Sequence, residues 1–281
     1  METRKTFVST EEYKNTLHNC VKNEIIDVYK NKYKCYKHLQ EFYKRDIISV
    51  NSFDDYEEFC KFTKKHKKYI VKNESGTLGN HISVVNIGSS DSTRNLFFHA
   101  LSYGGCVVEE YIEQDETMSK FNDSTVNTIR LTTVFAKNEV RFLFAFLKTG
   151  MKNSIVDNGN QGGILALIDV ETGAIVSDGY NEEMEQFTEH PDTNLRFKGY
   201  QIPKWDELLK FASQIVSHTE GITVIGWDFA LTGDGWLVVE ANTLPSLFPV
   251  QMLMSKTYGH GIAKEYNELL GEYKNNKRVV Y

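Results

Sequence analysis

The sequence lacks long apolar runs and clustered cysteines. No stretch approaches the roughly 20 consecutive apolar residues that a membrane-spanning helix needs, and the N-terminal sequence METRKTFVSTEEYKN contains no apolar signal region. The four cysteines are widely scattered and form no C-x-x-C pair, which is typical of reduced, structural cysteines in a cytosolic protein. We therefore expect a cytoplasmic protein without a membrane span.

Basic residues are not in excess either. The formal net charge of −6 argues against a dedicated nucleic-acid-binding protein. Of the 281 residues, 41% are hydrophobic and 25% are charged, which is the composition of an ordinary globular protein. The length is sufficient for one large domain or two small ones.

The common nucleotide-binding motifs are also missing. Neither the P-loop pattern G-x-x-x-x-G-K-[ST] nor the Rossmann pattern G-x-G-x-x-G occurs in the sequence. The tripeptide Asp228-Phe229-Ala230 is similar to the D-F-G of protein kinases, but no H-R-D catalytic loop precedes it. We therefore reject a protein kinase.

A lysine followed by a glycine-containing loop is a weaker nucleotide signal. Lys72 ends a predicted strand, and the loop after it contains Gly76 and Gly79. Glycines let backbone N–H groups approach phosphate oxygens, and the lysine adds a positive charge. Most such loops are merely turns, so this one indicates a phosphate cover only in combination with acidic residues further along the chain.

Such acidic residues lie in a predicted hairpin over residues 224–242. If its loop is residues 233–235, Asp228 lies directly opposite Glu240, and both share one face with Asn242. Directly opposed Cβ atoms are roughly 4.5–5.5 Å apart, and two carboxylates that close repel each other unless a cation or proton lies between them. Carboxylate and amide oxygens suit Mg²⁺. The alternative is a solvated hairpin face, but apolar neighbours on both faces favour metal binding.

Residue periodicity along the chain predicts an α+β fold with sheets flanked by helices. The predicted helices cover residues 10–45, 52–62, 92–102, 205–217 and 258–273. The predicted strands, apart from the hairpin, cover residues 69–72, 82–87, 106–112, 128–135, 140–145, 162–169 and 174–177.

Taken together, these motifs resemble the ATP-grasp superfamily in type and order, over about residues 30–255. The sugar-transfer-associated branch, which is found with surface-polysaccharide genes, is the most similar one. The segments that carry the resemblance are Lys72 with its glycine loop, Glu109–Ile112, Asn127–Arg130, Asp157–Gly163, His190–Thr193, Ile202–Trp205, Asp228, Glu240–Asn242 and Gln251.

This resemblance implies an ATP-grasp fold in which two α+β subdomains hold ATP between them. We expect a short helical N-terminal segment over residues 1–45, subdomain A over residues 46–105 and subdomain B over residues 106–281. The implied nucleotide-binding residues are Lys32 or Lys34, Lys72 at the α- and β-phosphates, Gly76, Gly79, and a hinge for adenine made of Glu109, Glu110, Tyr111 and Ile112.

The resemblance also implies the chemistry. Asp228, Glu240 and Asn242 would hold one or two Mg²⁺ ions, and Arg130 would lie beside the transferring phosphate and the acyl group. Asn158 is the second catalytic candidate. The implied reaction joins a carboxylate to an amine, because ATP phosphorylates the carboxylate and the amine then displaces phosphate from the acyl-phosphate.

As substrates, the resemblance implies a uronic acid or similar surface-polysaccharide precursor and an amino acid or other amine. Two alternatives stay open: a nucleotide-binding regulatory or assembly protein without catalysis, and a phosphotransferase that releases a phosphorylated product.

Many ATP-grasp enzymes carry a full α/β domain before the lysine pair, whereas about 30 residues precede Lys32 here. A partner protein or dimer mate would then supply the missing substrate surface, or the second subdomain would bind the acceptor alone. For His190, loop capping and ligand contact both stay open.

Overall fold

The computed structural model describes residues 3–18, 23–75, 82–136, 139–152, 162–219, 222–243 and 245–268. The α-helices in these ranges are α1 (Thr10–His18), α2 (Asn23–Lys30), α3 (Lys32–His38), α4 (Gln40–Tyr43), α5 (Tyr56–Lys65), α6 (Thr93–Leu101), α7 (Glu116–Ser119), α8 (Trp205–Val216) and α9 (Phe248–Tyr258). Residues 263–268 are also helical. None of the helices in this part of the chain has the length and apolar character needed to cross a membrane.

The β-strands of the same residues form two antiparallel sheets. They are β1 (Ile47–Val50), β2 (Lys68–Asn73), β3 (Ile82–Asn86), β4 (Cys106–Glu110), β5 (Thr128–Ala136), β6 (Glu139–Thr149), β7 (Ile164–Ile168), β8 (Ile175–Tyr180), β9 (Gln186–Phe187), β10 (Val224–Thr232) and β11 (Gly235–Asn242). The predicted α+β class is therefore confirmed.

The smaller sheet has four strands in the order β1-β4-β2-β3. Strand β4 lies in its middle and pairs with both β1 and β2. Helices α5 and α6 contribute Phe59, Phe62 and Phe97 to the core that covers this sheet. The unit boundary predicted between residues 105 and 106 would separate β4 from its partners, whereas a boundary after residue 110 keeps the sheet together.

The larger sheet has seven strands in the order β11-β10-β5-β6-β7-β8-β9. Its buried face carries Leu131, Trp227 and Phe229, which belong to the largest core of the molecule. Helix α8 covers this core with its apolar side, which includes Leu208 and Ala212. Arg130 and Asp228 lie on the opposite face, because side chains alternate along a strand.

The hairpin of β10 and β11 pairs Asp228 directly with Glu240, as predicted, but by a different route. Thr232 pairs with Gly235, so the turn contains only two residues rather than three. The register then shifts between Phe229, which pairs with Val238, and Asp228, which pairs with Glu240. The extra residue, Val239, is a β-bulge that restores the predicted pairing.

The N-terminal segment packs against the C-terminal part of the chain. Gln251 on α9 accepts a hydrogen bond from Val8 N at 2.7 Å and donates one to Val8 O at 3.1 Å. Tyr266 donates to Glu12 O at 3.1 Å, and its ring contacts Tyr13 on α1. These two segments therefore lie together over part of the face of the large sheet that carries Arg130.

Candidate active site

The acidic residue of β10, Asp228, lies in a cluster with two cations. Arg130 is directly opposite it on β5 and donates through Nε and Nη2 to the two carboxylate oxygens, at 2.6 and 2.8 Å. Lys148, at the end of β6, donates to Asp228 Oδ2 at 3.3 Å. All three side chains are largely buried. We call these residues the Asp228 cluster.

The charge of Asp228 is stabilised by its neighbours. Burial alone would raise the pKa of this carboxyl group, because desolvation disfavours the charged form. The positive charges of Arg130 and Lys148 outweigh that effect and lower the pKa of Asp228 from 3.8 to about 2. The carboxylate is therefore ionised at neutral pH, and both its oxygens are engaged by protein cations.

The other two predicted metal ligands are more open. The side chain of Glu240 is 42% exposed, and its Oε1 lies 3.8 Å from Nζ of Lys32. Nδ2 of Asn242 is buried and has no hydrogen-bond partner among the described residues. The orphaned N–H donor of Asn242 fits a phosphate oxygen, and the half-open carboxylate of Glu240 fits a hard cation. Asp228 fits less directly, because its oxygens already bind Arg130 and Lys148.

A second buried carboxylate, Glu109, lies in the small sheet. Its Oε2 accepts from Lys72 Nζ at 3.0 Å and from Arg45 Nη2 at 2.9 Å. Only 5% of the Glu109 side chain is exposed. Burial opposes its ionisation, but Lys72 and Arg45 lower its pKa from 4.5 to about 2. We call these residues the Glu109 cluster. The predicted hinge residue Glu109 thus holds the predicted phosphate lysine.

The rest of the predicted hinge connects the two sheets. Glu110 accepts from Asp46 N at 3.0 Å and lies 3.6 Å from Nδ1 of His66. Nζ of Lys68 lies 3.4 Å from the ring centroid of Tyr111. Ile112 is buried in a small cluster with residues of β10 and β11. This segment therefore leaves the small sheet and packs against the hairpin of the large one.

Other predicted site residues lie apart or outside the described part. Lys34 is exposed, and only Lys32 of the two candidate lysines lies beside Glu240 among the described side chains. Gly76, Gly79 and Asn158 lie outside the described residues.

His190 is fully buried, and its Nε2 lies 2.9 Å from Gly150 O. Burial lowers its pKa. This position supports a role in holding the loop rather than a ligand contact.

Two cations of the clusters were not singled out from the sequence as site residues. Arg45 belongs to a basic stretch that is typical of a solvated helix, yet its side chain is only 3% exposed. Lys148 lies beyond the predicted end of its strand at residue 145, whereas β6 continues to Thr149. The alternating pattern of the strand could have identified Lys148, because it places this residue on the same face as Phe146 and Arg130.

Comparison with known proteins gives the family of the chain and its fold. The sequence matches the family described as sugar-transfer associated ATP-grasp over residues 11–267. Curated protein sequences contain no match. Solved structures of similar fold include an N5-carboxyaminoimidazole synthetase from Staphylococcus aureus complexed with ADP and D-alanine–D-alanine ligases from Coxiella burnetii and from Bacillus anthracis, the last complexed with ATP.

The identities to these three structures are low, so the similarity shows the fold alone. The synthetase is 14% identical, with 85% of this chain covering 52% of that chain at a TM-score of 0.51. The Coxiella ligase is 11% identical, with coverages of 92% and 61% and a TM-score of 0.56. The Bacillus ligase is 13% identical, with coverages of 89% and 68% and a TM-score of 0.53. The chain thus has the ATP-grasp fold but spans about half the length of the synthetase.

Proposed function

Because the chain belongs to the sugar-transfer associated ATP-grasp family, we propose that it is an ATP- and Mg²⁺-dependent ligase that joins a carboxylate to an amine. The observation that carries the proposal is the pair of buried cation clusters around Glu109 and Asp228. The Asp228 cluster lies beside Glu240, which pairs with Asp228. The Glu109 cluster lies in the small sheet and reaches the same strand, β11, through Arg45. A triphosphate needs such positive charge on more than one side.

In this proposal the nucleotide lies between the two sheets. Lys72 contacts the α- and β-phosphates, and the loop with Gly76 and Gly79 covers them. Lys32 rather than Lys34 is the second lysine, since its ammonium group lies near Glu240. The segment from Glu109 to Ile112, including Glu110 and Tyr111, holds the adenine through its backbone. We also propose that the first unit ends after residue 110, because β4 pairs within the small sheet.

Glu240 and Asn242 are the residues that would hold Mg²⁺, and Asp228 would join them if its cations shift toward the phosphates. Bound Mg²⁺ neutralises charge on phosphate oxygens. Within the protein, Asp228 has a second role that follows from its contacts. It fixes the guanidinium of Arg130 in one orientation through two parallel hydrogen bonds.

Arg130 acts on the reacting groups. The carboxylate oxygen of the substrate attacks the γ-phosphorus, and ADP leaves. The amine then attacks the acyl carbon, loses a proton, and expels inorganic phosphate. Arg130 stabilises the oxyanion of that tetrahedral step, and Asn158 is the second residue that we propose to act on the substrate. Neither step requires a covalent bond to the protein.

In this proposal the acceptor binds beside Arg130, close to the segments of α1 and α9. A cavity of about 20 Å³, room for about one water molecule, lies beside Arg130 and is lined by Tyr13 of α1 and by Leu247 and Val250 of the α9 region. The family description supports a sugar-linked acid, and we propose a uronic acid or a similar polysaccharide precursor, with an amino acid or other amine as the second substrate.

The test is incubation of the protein with Mg-ATP and a panel of carboxylate and amine pairs that includes uronic acids and amino acids. We expect ADP, phosphate and a new amide, detected by mass spectrometry. A stable phosphorylated product that forms without any amine would instead indicate a phosphotransferase. Nucleotide binding without turnover of any pair, together with unchanged behaviour of Asp228→Asn and Glu240→Gln variants in cells, would indicate a regulatory protein.

A further inference from the structure

Arg45 contacts both sheets. It lies between α4 and β1, and its guanidinium donates to Glu109 Oε2 in the small sheet at 2.9 Å. The same guanidinium donates to Val238 O and, at 3.3 Å, to Val239 O in the large sheet. Its Cζ lies 5.0 Å from the ring centroid of Tyr43, which supports the side chain from the chain segment just before it.

On the side of the small sheet, Arg45 shares its acceptor with the predicted phosphate lysine. Glu109 Oε2 accepts from both Arg45 and Lys72. A buried carboxylate with two cations holds each of them in a narrow range of positions. If Arg45 is removed, Lys72 is the cation that remains beside Glu109. Lys72 would then pair more tightly with Glu109 and be less available to bind another anion such as a phosphate.

On the side of the large sheet, Arg45 binds the strand that carries the predicted metal ligand. Strand β11 is the last in the sheet order, so its outer carbonyl groups face away from β10. Val239 is the bulge residue, and Glu240 follows it directly. Bulges redirect the side chains next to them. The two hydrogen bonds from Arg45 therefore hold the backbone that sets the direction of Glu240.

We propose that Arg45 is a positioning residue that sets the phosphate lysine Lys72, through Glu109, and the metal ligand Glu240, through the Val239 bulge, in one geometry for Mg-nucleotide binding. This inference rests on the proposed function, since it takes Lys72 and Glu240 as ligands of the nucleotide and its metal. A purely structural ion pair between Arg45 and Glu109 is the simpler alternative, and it predicts no separate effect on the metal.

The test measures binding rather than catalysis. The affinity for a non-hydrolysable ATP analogue and the Mg²⁺ concentration needed for half-maximal binding are determined by titration calorimetry, with unfolding temperature as the measure of stability. For Arg45→Met we expect about tenfold weaker nucleotide binding and a raised Mg²⁺ requirement. The control is Lys61→Met, which removes an exposed cation of α5 and is expected to leave both quantities unchanged.

A second variant separates positioning from stability and serves if Arg45→Met fails to fold. Arg45→Lys keeps the charge beside Glu109, so we expect most of the stability to return. One ammonium group cannot reproduce the planar fork that reaches Glu109 and two carbonyl groups at once. We therefore expect the raised Mg²⁺ requirement to persist in Arg45→Lys.

Three results would overturn the inference. The first is a folded Arg45→Met variant with the wild-type nucleotide affinity and Mg²⁺ requirement. The second is an Arg45→Lys variant that recovers the nucleotide affinity and the Mg²⁺ requirement together with stability. The third is a wild-type protein that binds no Mg-nucleotide. Failure of the proposed function looks different, because the wild-type protein would then bind Mg-nucleotide normally while no acid and amine pair gives an amide.

Discussion

The Asp228 cluster and the Glu109 cluster contain the same kinds of side chain but differ in which sheets those side chains bind. Each contains one buried carboxylate with two cations, and in each the carboxyl pKa is lowered to about 2. In the Asp228 cluster, all three residues come from neighbouring strands of one sheet. In the Glu109 cluster, Lys72 and Glu109 belong to one sheet, whereas Arg45 also binds the other sheet.

Clusters with similar electrostatics can therefore perform two different tasks in this protein. A cluster within one sheet holds its side chains on a rigid ladder, which suits groups that must meet a reacting atom. A cluster that joins two sheets depends on how the sheets sit against each other, which suits a ligand bound between them. Substitutions in the Asp228 cluster should therefore affect turnover, and substitutions in the Glu109 cluster should affect nucleotide binding.

The largest expected effect is on turnover in the Asp228 cluster. Arg130→Met removes the donor beside the reacting groups, so we expect kcat to fall by about 10²–10³. Nucleotide affinity should stay close to that of the wild-type protein. Steady-state kinetics checks the fall in kcat, and calorimetric titration of the ATP analogue checks the nucleotide affinity. The control is Arg94→Met, which changes an exposed residue. Equal losses in kcat and in nucleotide affinity would remove the proposed difference between the clusters.

Stability should be affected in both clusters to a similar extent. Asp228→Ala and Glu109→Ala each leave two cations without their shared counter-ion, so we expect losses of about 3–5 kcal/mol in unfolding free energy. Urea denaturation measures them. The control Glu57→Ala removes an exposed carboxylate paired with Lys61 and should cause no measurable loss. An alanine variant in either cluster that is as stable as this control would contradict the buried pairing.

Acid should weaken both clusters over one pH window. Their carboxyl pKa values in the folded protein, about 2, lie below the ordinary values of 3.8 for Asp228 and 4.5 for Glu109. The stabilisation is therefore complete above about pH 4.5 and is lost as the pH falls toward 2. Unfolding free energy measured across this range should decline, and Asp228→Asn and Glu109→Gln should each make the decline less steep. An unchanged slope in either variant would contradict the assignment for that residue.

The smallest effect concerns the two N-terminal lysines. Lys32→Met removes the ammonium group near Glu240, and because this side chain is partly exposed we expect about a threefold loss of nucleotide affinity. Lys34→Met is the matched control and should change nothing, since Lys34 is exposed on the same helix. Titration with the ATP analogue distinguishes them. A larger loss for Lys34→Met would reverse the choice between the two lysines.

Local sequence patterns were sufficient for much of the fold. Helix α8 followed from its apolar periodicity, and the alternation along the hairpin placed Asp228, Glu240 and Asn242 on one face. The position of Arg130 directly opposite Asp228 depends on the pairing of β5 with β10, which was not predicted from the sequence. The opposition of Asp228 and Glu240 was also predicted, but from a three-residue loop. The structure reaches it with a two-residue turn and a bulge at Val239. The carbonyl of this bulge residue accepts from Arg45 at 3.3 Å, a contact between segments far apart in the sequence.

Other features depend on contacts that lie far apart in the sequence. From the sequence, Arg45 looks like a residue of a solvated helix, whereas in the structure its guanidinium contacts β11 and is buried. The helix predicted over residues 258–273 is present in its described part at residues 263–268, but helix α9 before it was missed. Its signals were present, because Pro249 lies in its first turn and Gly259, with a φ of 79°, follows its last residue. The sheet membership of β4 likewise follows from its pairing with β1, a short strand without a periodic signal.

The most direct test of the central proposal, amide formation through an acyl-phosphate, is transfer of ¹⁸O from a labelled carboxylate. The acid of an active pair is labelled in its carboxyl group and incubated with the amine, Mg-ATP and the protein. We predict one ¹⁸O atom in the inorganic phosphate, with ADP as the other product, because the carboxylate oxygen attacks the γ-phosphorus. Label in AMP, or phosphate without label, would contradict the account.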